Sequence, residues 1–283
     1  MPMVAQQAPY TLFIVDDNDP RNPREENENF GKMFCWHRRY SLGDKHDYKE
    51  SDDFLVDLLN KTVPQNKIFQ MIIDNKFERV RFEPDEKDKQ TYHLKSYSDY
   101  FKHWYVEDTY EDSHFYKQDE IVDTAAQFFT DSELLGLIRE YNVILPLYLY
   151  DHGGITMSCE PFSCRWDSFQ CGWIYADYEM IKHEYGEVTP ETLEKAEDLL
   201  HCEVKEYDHY ITGQCYGFKL YEGDNQIESC WGFIGEISDV SKNIKEYLPS
   251  ACKNIVDSLE YQYDIDEEEY LEQTLEDEDE MEL

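Results

Sequence analysis

The chain alternates between short apolar runs typical of strands and stretches with the apolar spacing of helices. Apolar runs predict strands at 10–15, 34–40, 143–150, 155–158 and 171–175, and two further runs at 216–221 and 228–234 predict a β-hairpin. Residues 143–150 are almost continuously apolar, which is expected of a central strand that is covered on both faces. Gly153 and Gly154 follow it and predict a turn into the return strand.

Helical spacing and capping residues predict six helices. They lie just after Ser51-Asp52-Asp53 and at 119–129, 133–141, 178–185, 190–211 and 240–259. Thr130-Asp131-Ser132 and Thr189-Pro190 supply N-terminal caps, and Gly186 and Gly213 mark C-terminal ends. The pattern as a whole predicts an α+β fold in which a mainly antiparallel sheet packs against helices.

Changes in composition along the chain predict four parts. Residues 1–75 form the N-terminal part of an α+β core, and they include a charged, Pro- and Asn-rich loop at 16–29 that fits an exposed excursion. Residues 76–117 are Tyr-rich and charged, and fit either an inserted interaction arm or an ordered surface excursion with short strands. Residues 118–260 form the main core, and residues 261–283 form an acidic tail that stays disordered unless a partner orders it.

Charge limits the classes of partner. The chain has 63 acidic and 26 basic residues, a formal net charge of −37. Twelve of the acids lie in residues 264–283, and without that segment 51 acids still face 26 bases, a balance of −25. Phosphate contacts need clustered Lys and Arg, so direct binding of nucleic acid is not expected. Solubility or life at high salt would also explain the acidity, but 23 Tyr, 15 Phe and 5 Trp are many for a chain that is acidic only to stay dissolved.

The remaining composition predicts a cytoplasmic protein without cofactors. No apolar stretch is long enough to span a membrane, and the N-terminus lacks the basic and apolar regions of a secretory signal. The eight cysteines are expected to be free thiols in a reducing compartment. Cys159, Cys164 and Cys171 lack the paired spacing typical of zinc sites, so no metal is predicted. An intersubunit disulfide, and with it a homo-oligomer, stays open.

One constellation offers a catalytic alternative. Asp151 and His152 follow the predicted central strand, and Asp167 lies a short distance along the chain. A strand-end Asp-His pair suits general acid–base chemistry in a hydrolase or nucleotide-modifying enzyme, but the same residues suit a turn in which Asp151 bonds local backbone amides. The chain has no GxSxG, GxxxxGK[ST] or GxGxxG motif.

Three strings carry a resemblance: FGKMFCWHRRYSLGDKHDY, LPLYLYDHGGITMSCEPFSCRWDSFQCGWIYA and CWGFIG. They resemble a family of proteins encoded by phages and mobile elements of Firmicutes, over about residues 30–60 and 143–235. No catalytic role is attached to these strings. In size, acidity and lack of enzyme motifs the chain also looks like the proteins that phages use against host defence, such as Gabija anti-defence proteins, DNA-mimicking anti-restriction proteins and anti-CRISPR proteins.

These observations favour a phage-encoded, non-enzymatic inhibitor of a host defence complex that acts on nucleic acid. Its acidic, aromatic-studded surface would occupy a basic groove of a nuclease, helicase or other DNA-binding protein in place of DNA. The predicted partner-binding residues are Tyr97, Asp99, Tyr100, Trp104, Tyr105, Glu107, Asp108, Tyr110, Glu111 and Asp112. An acidic structural phage protein is the third interpretation.

Overall fold

A computed structural model gives the structure of the protein and describes residues 3–111, 117–164, 166–261 and 270. The strands are β1 (Met3–Gln7), β2 (Tyr10–Asp16), β3 (Lys32–Cys35), β4 (Val80–Pro84), β5 (Thr91–Ser98), β6 (His103–Glu111), β7 (Asn142–Asp151), β8 (Ile155–Ser158), β9 (Ser168–Asp177), β10 (Cys215–Glu222), β11 (Asn225–Ile234) and β12 (Glu260–Tyr261). The helices are α1 (Pro23–Glu26), α2 (Ser51–Thr62), α3 (Gln65–Ile73), α4 (Gln118–Ala126), α5 (Asp131–Arg139), α6 (Tyr178–Tyr185), α7 (Pro190–Ile211), α8 (Ile237–Ile244) and a 3₁₀ helix, Lys253–Ser258.

The strands form three sheets with the orders β11-β10-β2-β1-β12, β3-β9-β7-β8 and β4-β5-β6. The pairs within the first and third sheets, and the pairs β3–β9 and β7–β8, are antiparallel. With helices packed against these sheets, the predicted α+β fold is confirmed.

Contacts along the chain divide it into two compact units. Unit 1 comprises residues 1–29, 148–169 and 202–283, and unit 2 comprises residues 30–147 and 170–201. The four-part division predicted from the sequence stays a prediction. Of the predicted acidic tail, 261–283, only residues 261 and 270 fall among those the structure describes.

The core of unit 2 is built by α2–α5 and the β4-β5-β6 sheet. The apolar residues that predicted α2 are buried there, among them Phe54 and Leu58. Helix α5 begins as predicted, because the Thr130 hydroxyl accepts a hydrogen bond from the Glu133 N–H while Glu133 accepts one from the Thr130 N–H. The Tyr-rich segment forms short strands, as one of its two interpretations expected, and it also contributes buried residues to this core.

The core of unit 1 lies between the five-stranded sheet and the C-terminal helices. Leu12 and Phe218 come from the sheet, and Val240, Ile244 and Ile255 come from α8 and the 3₁₀ helix. The predicted hairpin at its edge is confirmed as β10–β11, with Glu222 paired to Asn225 next to the turn.

Some predictions of local structure were wrong or incomplete, and some elements, such as β1, were missed. The predicted helix 240–259 ends at Ile244 and a separate 3₁₀ helix follows, since Pro249 has no N–H to donate and its ring clashes with a preceding helical carbonyl. The predicted strand 34–40 is shorter in the structure, where β3 ends at Cys35. Helix α3 was missed because Pro64 precedes it, and no Ser, Thr, Asp or Asn caps it.

A buried ion pair fixes the acidic loop of unit 1. In the predicted loop 16–29, Asn22 caps the short helix α1 by accepting a hydrogen bond from the Arg24 N–H at 2.9 Å. The Arg24 guanidinium points inward and lies 2.9 Å from the Glu203 carboxylate on α7, and both side chains are almost wholly buried. The loop is therefore held to α7 and is not a free excursion.

The described residues include no helix with both the length and the apolar character needed to cross a membrane. All eight cysteines are free thiols, and Cys202 is the exposed one. Within the described ranges no group of three or more His, Cys, Asp or Glu side chains is arranged to hold a metal ion.

We predict that Glu203→Gln destabilises the protein by about 3–5 kcal/mol, because it removes the carboxylate that lies 2.9 Å from the buried Arg24 guanidinium. Urea denaturation followed by circular dichroism measures the change. The matched control is Arg21→Ala, which removes an exposed pair with Glu26 at 3.6 Å and should cost less than about 1 kcal/mol. Equal costs for the two variants would show that the buried pair has no special role.

We also predict that alkylation separates the thiols. Burial, followed by the charge of Asp17, raises the pKa of Cys215 to about 11, so this thiol is almost wholly protonated at neutral pH and unreactive. Iodoacetamide at pH 8 should modify Cys202 first and leave Cys215 unmodified until the protein unfolds, as measured by peptide mass spectrometry. Early modification of Cys215 in the folded protein would contradict this.

Candidate protein-interaction surface

The Tyr-rich segment presents its most exposed residues at the end of the β5–β6 hairpin. Ser98 pairs with His103, and residues 99–102 connect the two strands. The Phe101 N–H donates to the Ser98 hydroxyl at 3.3 Å, and Lys102 takes a positive φ of 51° to complete the turn. Residues 99–102 therefore form a defined turn, and this turn determines where their side chains project.

Three aromatic rings form what we call the aromatic tip: Tyr100, Phe101 and Tyr105. Tyr100 is 88 % exposed and Phe101 is 67 % exposed. The two rings meet edge to face at 4.8 Å, and Phe101 lies 6.4 Å from the half-exposed Tyr105. Large apolar side chains gathered at one exposed position are typical of a site that a partner covers.

The outer face of the same sheet carries two further predicted residues. Tyr97 and Trp104 are paired across the strands with ring centroids 5.2 Å apart. The Arg81 guanidinium lies 5.1 Å above the Trp104 ring, a cation–π contact that reaches from β4 across β5 to β6. Both rings are half-buried, so this face supports the hairpin and exposes less aromatic area than the tip.

The charges of this segment are nearly balanced. Residues 76–117 contain ten acids and eight Lys or Arg, in a chain with a net charge of −37. Asp99 lies 2.5 Å from Arg79 and 3.6 Å from Lys102, and the Ser96 hydroxyl donates to Glu107 at 2.5 Å. The predicted acidic character is thus weak here, because the carboxylates are largely matched by groups of the segment itself.

The other predicted residues have different positions. Tyr110 lies in the core of unit 2 with only 2 % exposure, and burial, followed by the nearby Asp108 carboxylate, raises its pKa to about 12. It therefore cannot present its ring to a partner, since strand alternation points it inward. Asp108 is half-buried, Glu111 is exposed, and Asp112 lies outside the described residues.

The sequence-based list omitted Phe101, although the structure exposes it beside Tyr100. The sequence feature that could have indicated Phe101 is the pair of aromatic residues between Asp99 and Lys102. Asp is typical of turns, so both aromatic residues could have been placed in a turn.

The catalytic alternative comes together at the turn after β7. The Asp151 N–H donates to the Asp167 carbonyl at 2.9 Å, and Nδ1 of His152 lies 3.6 Å from Oδ2 of Asp167. The Cys164 thiol donates to the same Oδ2 at 3.5 Å. The Asp167 carboxylate therefore lies between the Cys164 thiol and the His152 imidazole. Activation of a thiol requires the imidazole to lie between the thiol and the carboxylate, and His152 does not have that position. The largely exposed His152 ring and the local backbone bonds fit a turn.

Comparison of the chain with protein-family models, curated proteins and solved structures returned no match.

We predict that two tyrosines of this segment differ sharply in their effect on stability. Tyr110→Ala should cost about 3–5 kcal/mol, because it opens a cavity in the core of unit 2. Tyr100→Ala should change stability by no more than about 0.5 kcal/mol, because the exposed ring supports little else. Urea denaturation of the two variants measures both values. A large loss for Tyr100→Ala would show that the aromatic tip is a structural element and not an available surface.

Proposed function

We propose that the protein acts by binding another protein through the aromatic tip, as a phage-encoded, non-enzymatic inhibitor of a host defence complex that acts on nucleic acid. It would work in the host cytoplasm on a nuclease, helicase or other DNA-binding protein, without itself binding nucleic acid or a membrane.

The exposure of the aromatic tip is the observation that carries the proposal. Tyr100 and Phe101 leave most of their ring surface in water at a turn whose backbone is fixed by hydrogen bonds. Exposed apolar area is unfavourable in water and becomes favourable when a partner covers it. Tyrosine adds a hydroxyl that can bond at the edge of an interface, which is one reason that Tyr is enriched among hot spots.

The charge of the whole chain supports a basic partner. The near balance of residues 76–117 means that most of the excess of acids lies elsewhere in the sequence. A net negative field speeds the encounter with a basic surface over distances of about 8 Å at physiological salt. The tip would then provide the close contacts, so binding of DNA in the partner's basic groove would be blocked by charge and shape together.

We predict that Tyr100→Ser combined with Phe101→Ser abolishes co-purification of the host target and relieves its inhibition. Removal of both rings takes away the central desolvated contacts, for which a loss of tenfold or more in affinity is about what hot-spot residues give. Affinity capture from host extract with wild type and variant identifies the proteins that are lost. The recovered protein is then assayed for its DNA cleavage or unwinding with each form of the inhibitor.

The matched control is Trp166→Ser, which removes an aromatic ring that is 94 % exposed but lies outside the hairpin. It should leave capture and inhibition unchanged. Loss of capture with Trp166→Ser but not with the double variant would overturn the assignment of the tip. Recovery of no DNA-binding protein, or a captured enzyme that stays fully active, would overturn the inhibitor function.

A further inference from the structure

Unit 1 contains an acidic groove that the sequence did not indicate. We call it the Trp231 groove, after the residue at its wall. It has a volume of about 610 Å³, and the charged residues of its lining, among those that the structure describes, are Asp17, Asp19, Glu26 and Glu206 together with a single cation, Arg21. Arg21 lies 3.6 Å from Glu26, so the lining keeps a clear negative excess.

The indole ring of Trp231 forms part of the wall of this groove and packs directly against Gly217, which we call the glycine shelf. Trp231 is 47 % exposed and pairs with Gly217 across the strands β11 and β10. A Cβ atom at position 217 would lie only 2.2 Å from Cε3 and 2.5 Å from Cδ2 of the indole. Only glycine lets the ring lie so close to the backbone, and about half of the Trp231 side chain still stays exposed. A positive φ of 87° at Gly232 accompanies the irregular pairing beside Trp231.

The acidic wall is held as firmly as the aromatic wall. The Asp19 N–H donates to the Asp17 carboxylate at 3.1 Å, which fixes the turn that carries both acids. The loop is tied to α7 by the buried pair of Arg24 and Glu203, one helical turn from Glu206. The carboxylates and the indole are therefore positioned before any ligand arrives, which lowers the entropic cost of binding.

Neighbouring groups respond to this negative field. The pKa of Tyr210 is raised by burial first and then by charges that include Glu25 and Asp19. The pKa of Cys215 is raised by burial and by Asp17. Carboxylates of this loop thus disfavour further negative charge in their surroundings, and by the same interaction they favour a cation.

We propose that the Trp231 groove binds an arginine side chain in an extended basic segment of a protein partner. A guanidinium can stack on the open part of the indole and donate two parallel hydrogen bonds to one carboxylate, which suits this combination of walls better than a compact ammonium. Charge complementarity selects the occupant, since the acids of the lining repel an anionic chain and give a neutral chain no charge attraction. The site lies in unit 1 and does not depend on the aromatic tip of unit 2.

Fluorescence anisotropy with a labelled peptide of alternating Arg and Gly tests the proposal on the full chain. We expect saturable binding that weakens as salt rises. The same peptide with citrulline, which is neutral and has nearly the shape of arginine, should bind at least about tenfold more weakly. A lysine version should bind more weakly than the arginine version, because it cannot form the bidentate contact.

Three protein variants locate the binding site. Trp231→Leu should weaken the arginine peptide by about fivefold or more through loss of the cation–π contact. Gly217→Val should do the same by displacing the ring, with circular dichroism as the check of folding. Asp19→Asn combined with Glu206→Gln should weaken binding and reduce its salt dependence. The charge-matched control is Glu78→Gln combined with Glu86→Gln, at two exposed acids of unit 2, and it should change affinity by less than about twofold.

The variant Tyr100→Ser combined with Phe101→Ser should leave peptide binding unchanged, so that failure of this site and failure of the aromatic tip are distinguishable. Equal binding of the arginine and citrulline peptides would overturn the proposal. So would equal losses in the groove and control variants, unchanged binding by Trp231→Leu, or the absence of saturable binding.

Discussion

The buried ion pair between Arg24 and Glu203 shows the constraint under which this chain folds. With 26 bases for 63 acids, more than half of the carboxylates cannot have a cationic partner of their own. Burying two charges costs desolvation free energy, so a buried ion pair adds little to net stability. Separating the two charges once they are buried costs much more, so the pair fixes the positions of the two segments that it joins. Here it fixes an acidic loop on α7 in unit 1. Bases also hold local structure in unit 2, where Arg79 pairs with Asp99 at the hairpin turn and Arg81 lies over the Trp104 ring.

Around the Trp231 groove the acids outnumber the bases. Because the cations fix loops and turns, carboxylates such as Asp17 and Asp19 are left in excess near the surface. Repulsion among them opposes further folding contacts at those positions. Backbone geometry holds the exposed aromatic rings in both units: the hairpin turn presents Tyr100 in a segment of nearly balanced charge, and Gly217 supports Trp231.

The sequence predicted the elements that have a strong period of their own. Helices α4–α7 and the β10–β11 hairpin are at or near their predicted positions, because caps, terminal glycines and apolar spacing are local signals. The burial of individual side chains in the Tyr-rich segment was harder to predict. Successive side chains of a strand point to opposite faces of the sheet, but the sequence does not reveal which face points inward. Tyr110 was therefore expected at the surface, although it packs in the core. The Trp231 groove depends on residues more than 200 positions apart in the chain, and no local pattern connects Asp17 with Trp231.

Charge and aromatic contact contribute differently to association. The excess of acids acts over distances near the Debye length and mainly raises the rate of encounter with a basic surface. It provides little lifetime, because exposed charges are screened and remain solvated. Rings such as Tyr100 and Trp231 act only on contact, and their desolvation slows dissociation. An acidic protein with a few preorganised aromatic side chains therefore suits fast and lasting capture of a basic protein better than either property would alone.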